Sequence, residues 1–449
     1  MPLSVRPFCT KKEAVMKRFL LWVLGVAAGV AVLLAAVMGV SYAFTTEGGK
    51  PEAGVLFGDA QLQPNGDCWQ LPLLGGKLDK VFASPTTLTV QKLGTLYTAH
   101  PAVVLPDWAK YTTLTIQTGT GEVVFAGSAG EYGDFLFPAN GEYKAEMTVW
   151  RLPEGGTAAQ FEGGSTGALR KNSGLERPAK PTGWYHYAFR FTLQASAEVA
   201  FSAERVEQGG VVGVRISGMT GDSAPVIETD LGSVPCVRAA EGWRGYIPAA
   251  YNAYSGGHEV KVTVNGETLT RSLIVLPKDF GTVEVEPDPP AEESANAEFR
   301  NAVWSLYEAA PREKLWQGGF VCPAEDYMTL VDYGQVRVEN GRQGSRSNSV
   351  KLYTIPGEPC RAPAKGVVVL AKKLALTGNT VVIDHGCGVR SYLYGLQSLD
   401  AAAGQTVEKA QSVGVLGEDV TMDVKLGSKS VNPWLLFQTS GGLFWKENV

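Results

Sequence analysis

From Phe19 to Phe44 the chain reads FLLWVLGVAAGVAVLLAAVMGVSYAF, with no charged residue. A helix needs about 20 predominantly apolar residues to cross a bilayer, so this run is long enough to span one. Lys11, Lys12, Lys17 and Arg18 precede it, and the positive-inside bias puts that end in the cytoplasm. The expectation is a cytoplasmic tail at 1–18, a transmembrane anchor at 19–44, and all that follows Thr45 outside a single-pass cell membrane protein. A cleaved signal peptide is the competing reading, with Ser41-Tyr42-Ala43 as its small-x-small site. The length of the apolar core favours the uncleaved anchor. Met16, before Lys17 and Arg18, offers a second start.

The remainder of the chain is read against that topology. With 53 Gly, 25 Pro and only 19% charged residues, it suits an exported, strand-rich protein. Its 449 residues exceed what one core organises, so two to four domains are expected. The net charge of −5, without a basic stripe interleaved with aromatics, argues against a nucleic-acid partner. Six cysteines occur, Cys9, Cys68, Cys236, Cys322, Cys360 and Cys387. No CxxC spacing is present, which removes zinc-knuckle and thioredoxin-like readings. Five of the six would lie outside, and a bridge among Cys322, Cys360 and Cys387 stays open.

Residues 50–195 read as a β-sandwich module. Short runs such as TTLTV, TTLTIQT, EVVFAG and YAFRFTL are broken by Gly, Pro and Asn. Tyr143, Trp150, Trp184, Tyr185 and Tyr187 are expected to fill its core, with an aromatic carbohydrate platform as the sharper alternative. Ala158 to Thr182, rich in Gly, Ser and Pro, reads as a long loop. Residues 196–286 read as an immunoglobulin-like module of around seven strands, closed by the VEVE run at 283–286. Asn265-Gly266 between alternating apolar residues is a type I′ hairpin signal. Residues 287–312 form an acidic, proline-rich linker, expected to be extended and mobile, that runs into a short helix. In that helix Phe299, Val303, Leu306 and Tyr307 fall at helical spacing, and Pro311 ends it.

Residues 313–449 carry the chemistry. In order they give CRAPAKGVVVLA, GNTVVIDHGCGVRSYLYGL, AGQTVEKAQSVGVLG and VTMDVKLGSKSVNP. This order resembles the lysostaphin-type (LytM-like) zinc metallopeptidases, which cut peptide cross-bridges in bacterial cell walls. Active members of that family read H-x-x-x-D, then V-x-I-x-H-G, Y-x-H-L, V-x-x-G-Q, H-L-H-F-E and V-x-P. Leu315 to Arg337 resembles the family's first strand, so the likeness covers about 120 residues. The fold class implied is mainly β: an N-terminal transmembrane helix, two β-sandwich modules, and a C-terminal LytM-like β domain.

The family's metal-binding words are absent. A hydrolytic zinc takes about three protein ligands and keeps one position open for water. Aligned on Gly357 and Pro359, the first His falls at Ser347 and the ligand Asp at Lys351. Aligned on Val431 and Pro433, the two histidines of H-L-H-F-E fall at Asp419 and Thr421, and the final Glu at Asp423. The His of Y-x-H-L falls at Gly395. Of the chain's four histidines only His385 lies in this domain, at the strand-end H-G turn, where it reads as a hydrogen-bonded turn residue. A lysine at a ligand position puts a cation where the metal belongs. No cofactor is therefore expected, and zinc enters only if Asp419, Asp423 and His385 serve as unorthodox ligands. No G-x-S-x-G elbow offers another catalytic constellation.

The functional expectation is a membrane-anchored, extracytoplasmic bacterial cell-wall protein with an inactive peptidase domain. It would bind peptidoglycan or another wall polymer, or scaffold or activate an envelope partner. Degenerate LytM-like proteins elsewhere serve as amidase activators and in a sporulation channel. The alternatives are an active metal-dependent endopeptidase, and an adhesin whose last domain is a spacer. Arg342, Arg346, Lys351, Arg361, Lys365, Lys372 and Lys373 face only Glu358 in their stretch of sequence. This suggests a cationic surface for carboxylates or phosphates, with Arg346, Lys351, Arg361, Lys365 and Asp423 as candidate ligand-binding residues. A solvated strand face is the plain alternative.

Overall fold

The computed structural model describes residues 10–73, 76, 78–153, 182–239, 242–287 and 290–445. The long loop expected at 158–182 falls almost wholly outside the described residues. The chain divides into two compact units, Met1–Gln194 and Ala195–Val449.

The first unit begins with helix α1, Thr10–Phe44. Its stretch Val15–Phe44 is long and apolar enough to cross a membrane, and a helix satisfies its own backbone polar groups, as hydrocarbon demands. The strands that follow are β1 (Gly66–Pro72), β2 (Asp79–Ser84), β3 (Gln91–Leu96), β4 (Tyr111–Thr118), β5 (Val123–Gly127), β6 (Gly141–Arg151) and β7 (Gly183–Leu193). They form one sheet in the order β2-β1-β7-β6-β4-β5, with β3 parallel to β7.

Strand alternation assigns the core of this unit. Tyr185, Tyr187, Phe189, Phe191 and Leu193 of β7, with Tyr143, Ala145, Met147 and Val149 of β6, pack on Phe57, Tyr132 and Phe137. Fully burying such a side chain contributes about 1.5–3 kcal/mol. Tyr143, Tyr185 and Tyr187 are core residues as expected, whereas Trp150 and Trp184 are not in that cluster. Each is out of phase with its strand's inward set. They meet each other across the opposite face, ring centroids 6.0 Å apart, because successive side chains alternate between faces.

The second unit opens with an immunoglobulin-like sandwich of two four-stranded sheets, spanning Glu198–Leu276. Asn265 (φ 51°) and Gly266 (φ 83°) make its hairpin turn, both in the left-handed region that a type I′ turn requires. The VEVE run does not close this sandwich. Pro277 lacks the N–H to continue the ladder, and Thr282–Val285 instead pairs in parallel with Val336–Glu339.

After the sandwich comes helix α2, Glu293–Val303, continued by a 3-10 turn at Trp304–Leu306. Then come β8 (Tyr327–Val331), β9 (Val350–Thr354), β10 (Gly366–Leu374), β11 (Gly378–Gly386), β12 (Val389–Leu396), β13 (Thr406–Val407), β14 (Asp419–Leu426) and β15 (Lys429–Val431). These make an antiparallel eight-stranded sheet, β8-β9-β14-β12-β11-β10-β13, with β15 on β14. Its core is continuous with the sandwich: Val211, Val237 and Tyr246 join Trp316, Phe320, Val381, Val420 and Leu443. The Tyr333 hydroxyl bridges the two parts, donating to the Ser430 carbonyl (2.7 Å) and accepting from the Tyr251 N–H (2.9 Å).

Candidate functional site

Strand β14 organises the candidate site. Val420, Met422, Val424 and Leu426 point into the core, so Asp419, Thr421, Asp423 and Lys425 face the other way. Lys351 of β9 is in register with Thr421, which is in register with Tyr394 of β12. The Lys351 ammonium lies 2.9 Å from the Asp419 carboxylate, with both side chains 42% exposed. Gly395 sits at φ +79°, and a Cβ there would meet the Asp419 carbonyl oxygen at 2.6 Å. The fold thus gathers Lys351, Gly395, Asp419 and Thr421 at one place. Ser347 lies in the turn before β9, its hydroxyl donating to the Ser349 carbonyl at 2.6 Å.

Farther along β14 the same face is closed. Asp423 is bonded to Lys425 (2.7 Å) and accepts from Ser430 (3.1 Å), and all three are buried. Burial pushes the Asp423 carboxyl up, with Lys425 and Ser430 holding it back in part. The Lys425 ammonium lies 5.5 Å from the centre of the Tyr307 ring and 5.8 Å from that of Tyr392. Tyr307 belongs to the segment after α2, and Phe299 and Val303 of that helix pack with Tyr392 and Tyr394. The apolar stripe at 299, 303, 306 and 307 therefore covers the sheet on the face that holds the site.

A buried arginine fastens this cover. Arg390 donates to the carbonyls of Leu306 (2.6 Å) and Ala309 (3.4 Å) and to Asp384 (3.1 Å). Asp384 also accepts from the Gly386 N–H (2.9 Å). The sequence reading missed both the Arg390–Asp384 pair and Lys425. Their signal was a charged residue inside the apolar strand words VRSYLYGL and VTMDVKL.

His385 is fully buried at the end of β11. Nδ1 pairs with the Lys365 carbonyl and Nε2 with the Ser391 hydroxyl, each at 2.9 Å. Desolvation pushes its pKa down to about 4, against the opposing pull of the Lys365 carbonyl and Asp384.

The cations adjacent in sequence are dispersed by the sheet. Lys351 on β9 and Lys365 at the head of β10 are separated by β14, β12 and β11, roughly 19 Å at the usual strand spacing. Most are also paired: Arg361 with Glu325 (2.9 Å), Lys365 with Glu408 (2.7 Å) and Lys372 with Glu298 (2.9 Å). Arg346 reaches the Gly334 carbonyl at 3.5 Å. The residues do not make one cationic surface. Among the described residues the cysteines at 68, 236, 322, 360 and 387 form no disulfide with one another, and Cys360 and Cys387 are buried.

Residues 345–439 match the family model described as peptidase family M23, and this part of the chain is an M23 domain. No curated protein matches the chain. Among solved structures, one assigned to peptidase M23 from Pseudomonas aeruginosa is 18% identical, covers 51% of this chain and 93% of its own, and has a TM-score of 0.37. The catalytic domain of lysostaphin from Staphylococcus simulans is 19% identical over 25% of this chain and 92% of its own, with a TM-score of 0.22. A chain of the SpoIIIAH–SpoIIQ complex is 20% identical over 25% of this chain and 94% of its own, with a TM-score of 0.22.

The donors present do not fit a zinc ion. The positions that the sequence resemblance aligned with ligands carry an ammonium and a hydroxyl, Asp419 is engaged by Lys351, and Asp423 by Lys425 and Ser430. Among the described residues no group of three or more His, Cys, Asp and Glu side chains is placed to hold a metal.

Proposed function

We propose that this is a membrane-anchored envelope protein whose M23 domain binds without cutting. The observation that carries this reading is the Lys351–Asp419 ion pair, lying where a hydrolase would hold its metal. An ammonium at that place repels a divalent cation and engages the carboxylate that could have bound one. Beside it, Gly395 leaves no room for an imidazole. The apolar helix Val15–Phe44 supports a single-pass anchor with the bulk of the chain outside the cytoplasm.

The ligand on this reading is peptidoglycan or a protein of the envelope. The site face is partly covered by α2 and Tyr307, leaving the exposed β9 edge of the site, with Lys351 and Tyr353, as the contact surface. A complex between an M23-like chain and a second protein is among the similar structures, as the SpoIIIAH–SpoIIQ assembly. The test is zinc per mole of the full-length protein after loading with excess zinc and desalting, run beside a wall-hydrolysis assay and co-sedimentation with purified peptidoglycan. Near-zero zinc, no hydrolysis and co-sedimentation are expected. One zinc per chain with cross-bridge cleavage would overturn the proposal.

A further inference from the structure

The outer face of the first unit's sheet carries a row of three cations. Arg190 of β7 is in register with Lys144 of β6 on one side and with Lys92 of β3 on the other. All three are exposed, on the face opposite the aromatic core. Like charges directly opposite across strands are destabilising, yet among the described residues none of the three side chains makes an ion pair or a hydrogen bond. They line one hollow of about 250 Å³, together with Glu142, Gly94 and Thr192. The β3–β7 register slips between Arg190 and Thr192, and Gly94 there has φ +81°. A bulge of this kind re-aims neighbouring side chains.

We infer that this row is a binding site for a phosphodiester polymer. Three cations side by side cost stability until an anion is seated among them, and Arg190 at the centre offers the planar fork suited to phosphate oxygens. The row crosses two strand spacings, about 10 Å, and so fits consecutive phosphates along a chain better than one isolated ion. The lipid headgroups beneath the anchor carry the same phosphodiester chemistry but lie at the wrong end of the sheet. Pro72 and Leu73 meet α1 at Val37–Thr45, and the Trp69–Gly183 register places Arg190 ten strand positions beyond the level of Pro72. That is roughly 30 Å along the strand, several times the Debye length of about 8 Å at physiological salt.

The test uses the full-length protein in zwitterionic nanodiscs and a synthetic poly(glycerol phosphate) of defined length, with affinity measured over a salt series. The triple variant Lys92→Gln, Lys144→Gln, Arg190→Gln is expected to bind at least 10-fold more weakly and to show a shallower salt dependence. Glu142→Gln, which removes the one carboxylate in the hollow, is expected to tighten binding. Neutralising Lys110, Lys261 and Lys278 instead should change neither quantity. All these side chains lie outside the hydrophobic cores, so a melting temperature no lower than the wild type's confirms that the fold is intact, and relief of the like-charge repulsion is expected to raise it slightly in the triple variant. Equal polymer affinity in the triple variant would overturn the site. Triad-dependent binding to phosphatidylglycerol vesicles with no polymer binding would overturn the polymer as its ligand.

Discussion

Lys351 on β9 and Asp419 on β14 form an ion pair 2.9 Å long across neighbouring strands, at the place our proposal assigns to the domain's lost metal site. Both partners are 42% exposed, so water screens the attraction and the pair contributes little to stability. Lys351→Met is expected to shift unfolding by no more than about 0.5 kcal/mol in a urea titration. It should also leave wall hydrolysis at background, because the substitution frees one carboxylate and supplies no imidazole. Hydrolysis appearing in this variant would mean that the lysine alone suppresses a working site.

Gly395 answers a different question, whether the missing histidine could be restored. Its φ of +79° disfavours any side chain, and a Cβ would press on the Asp419 carbonyl at 2.6 Å. Gly404 is a matched control, with φ +90° and no atom within 4 Å of its Cβ position. Gly404→Ala carries backbone strain alone, about 1 kcal/mol. Gly395→Ala adds a backbone clash and is expected to cost about 2 kcal/mol more, as a lower urea midpoint. Equal losses would show that the strand pair can open to admit a side chain there.

The buried pair under the helical cover predicts a local effect as well as a global one. Arg390→Met leaves Asp384 with only the Gly386 N–H and the more distant Arg312 (3.8 Å), and leaves the Leu306 and Ala309 carbonyls without their donor. Removing one partner of a buried ion pair costs about 3–5 kcal/mol when the other is left unpaired, and the remaining Arg312 contact puts the expected loss at the lower end, about 3 kcal/mol. Hydrogen exchange across Glu293–Tyr307 should accelerate by more than across β12 itself, since Arg390 joins that segment to the sheet. Uniform acceleration over both would mean that the segment is held by its apolar stripe alone.

Much of this was legible in the sequence, in proportion to how local each signal was. The Asn265-Gly266 turn, the apolar N-terminal run and the stripe at Phe299, Val303, Leu306 and Tyr307 each specify their own geometry. The family resemblance also suggested Ser347, Lys351 and Thr421 as degenerate ligand positions. It could not show that Asp419 turns to Lys351, because that depends on the register of strands far apart in the chain. The same limit misplaced the cations: Lys351 and Lys365 are neighbours in sequence, but three strands lie between them. Trp150 is buried as expected, but on the opposite face of the sheet from the aromatic cluster, and Trp184 is only half-buried there, because strand phase and not aromatic content decides the face. The VEVE run was misread because Pro277, directly after the strand Glu267–Leu276 and five residues before Thr282, already ends the sandwich.

His385 gives the protein a pH dependence of definite sign. Its folded pKa is pushed down to about 4 by burial, below the ordinary value near 6.5. Between those values the unfolded chain binds a proton that the folded chain refuses, so this group's contribution to stability falls as the pH falls. The contribution is complete above about pH 6.5 and is lost as the solution is acidified toward pH 4, on the order of 3 kcal/mol across the window. Other carboxylates titrate in the same range, so the wild-type profile alone does not isolate the histidine. His385→Gln keeps an amide able to bond the Lys365 carbonyl and the Ser391 hydroxyl but does not titrate. Urea unfolding at pH 7.5, 6.0 and 5.0 should show the variant less stable at pH 7.5, with a shallower decline on acidification than the wild type. Parallel profiles would mean that His385 meets solvent in the folded state, contrary to its two fixed hydrogen bonds.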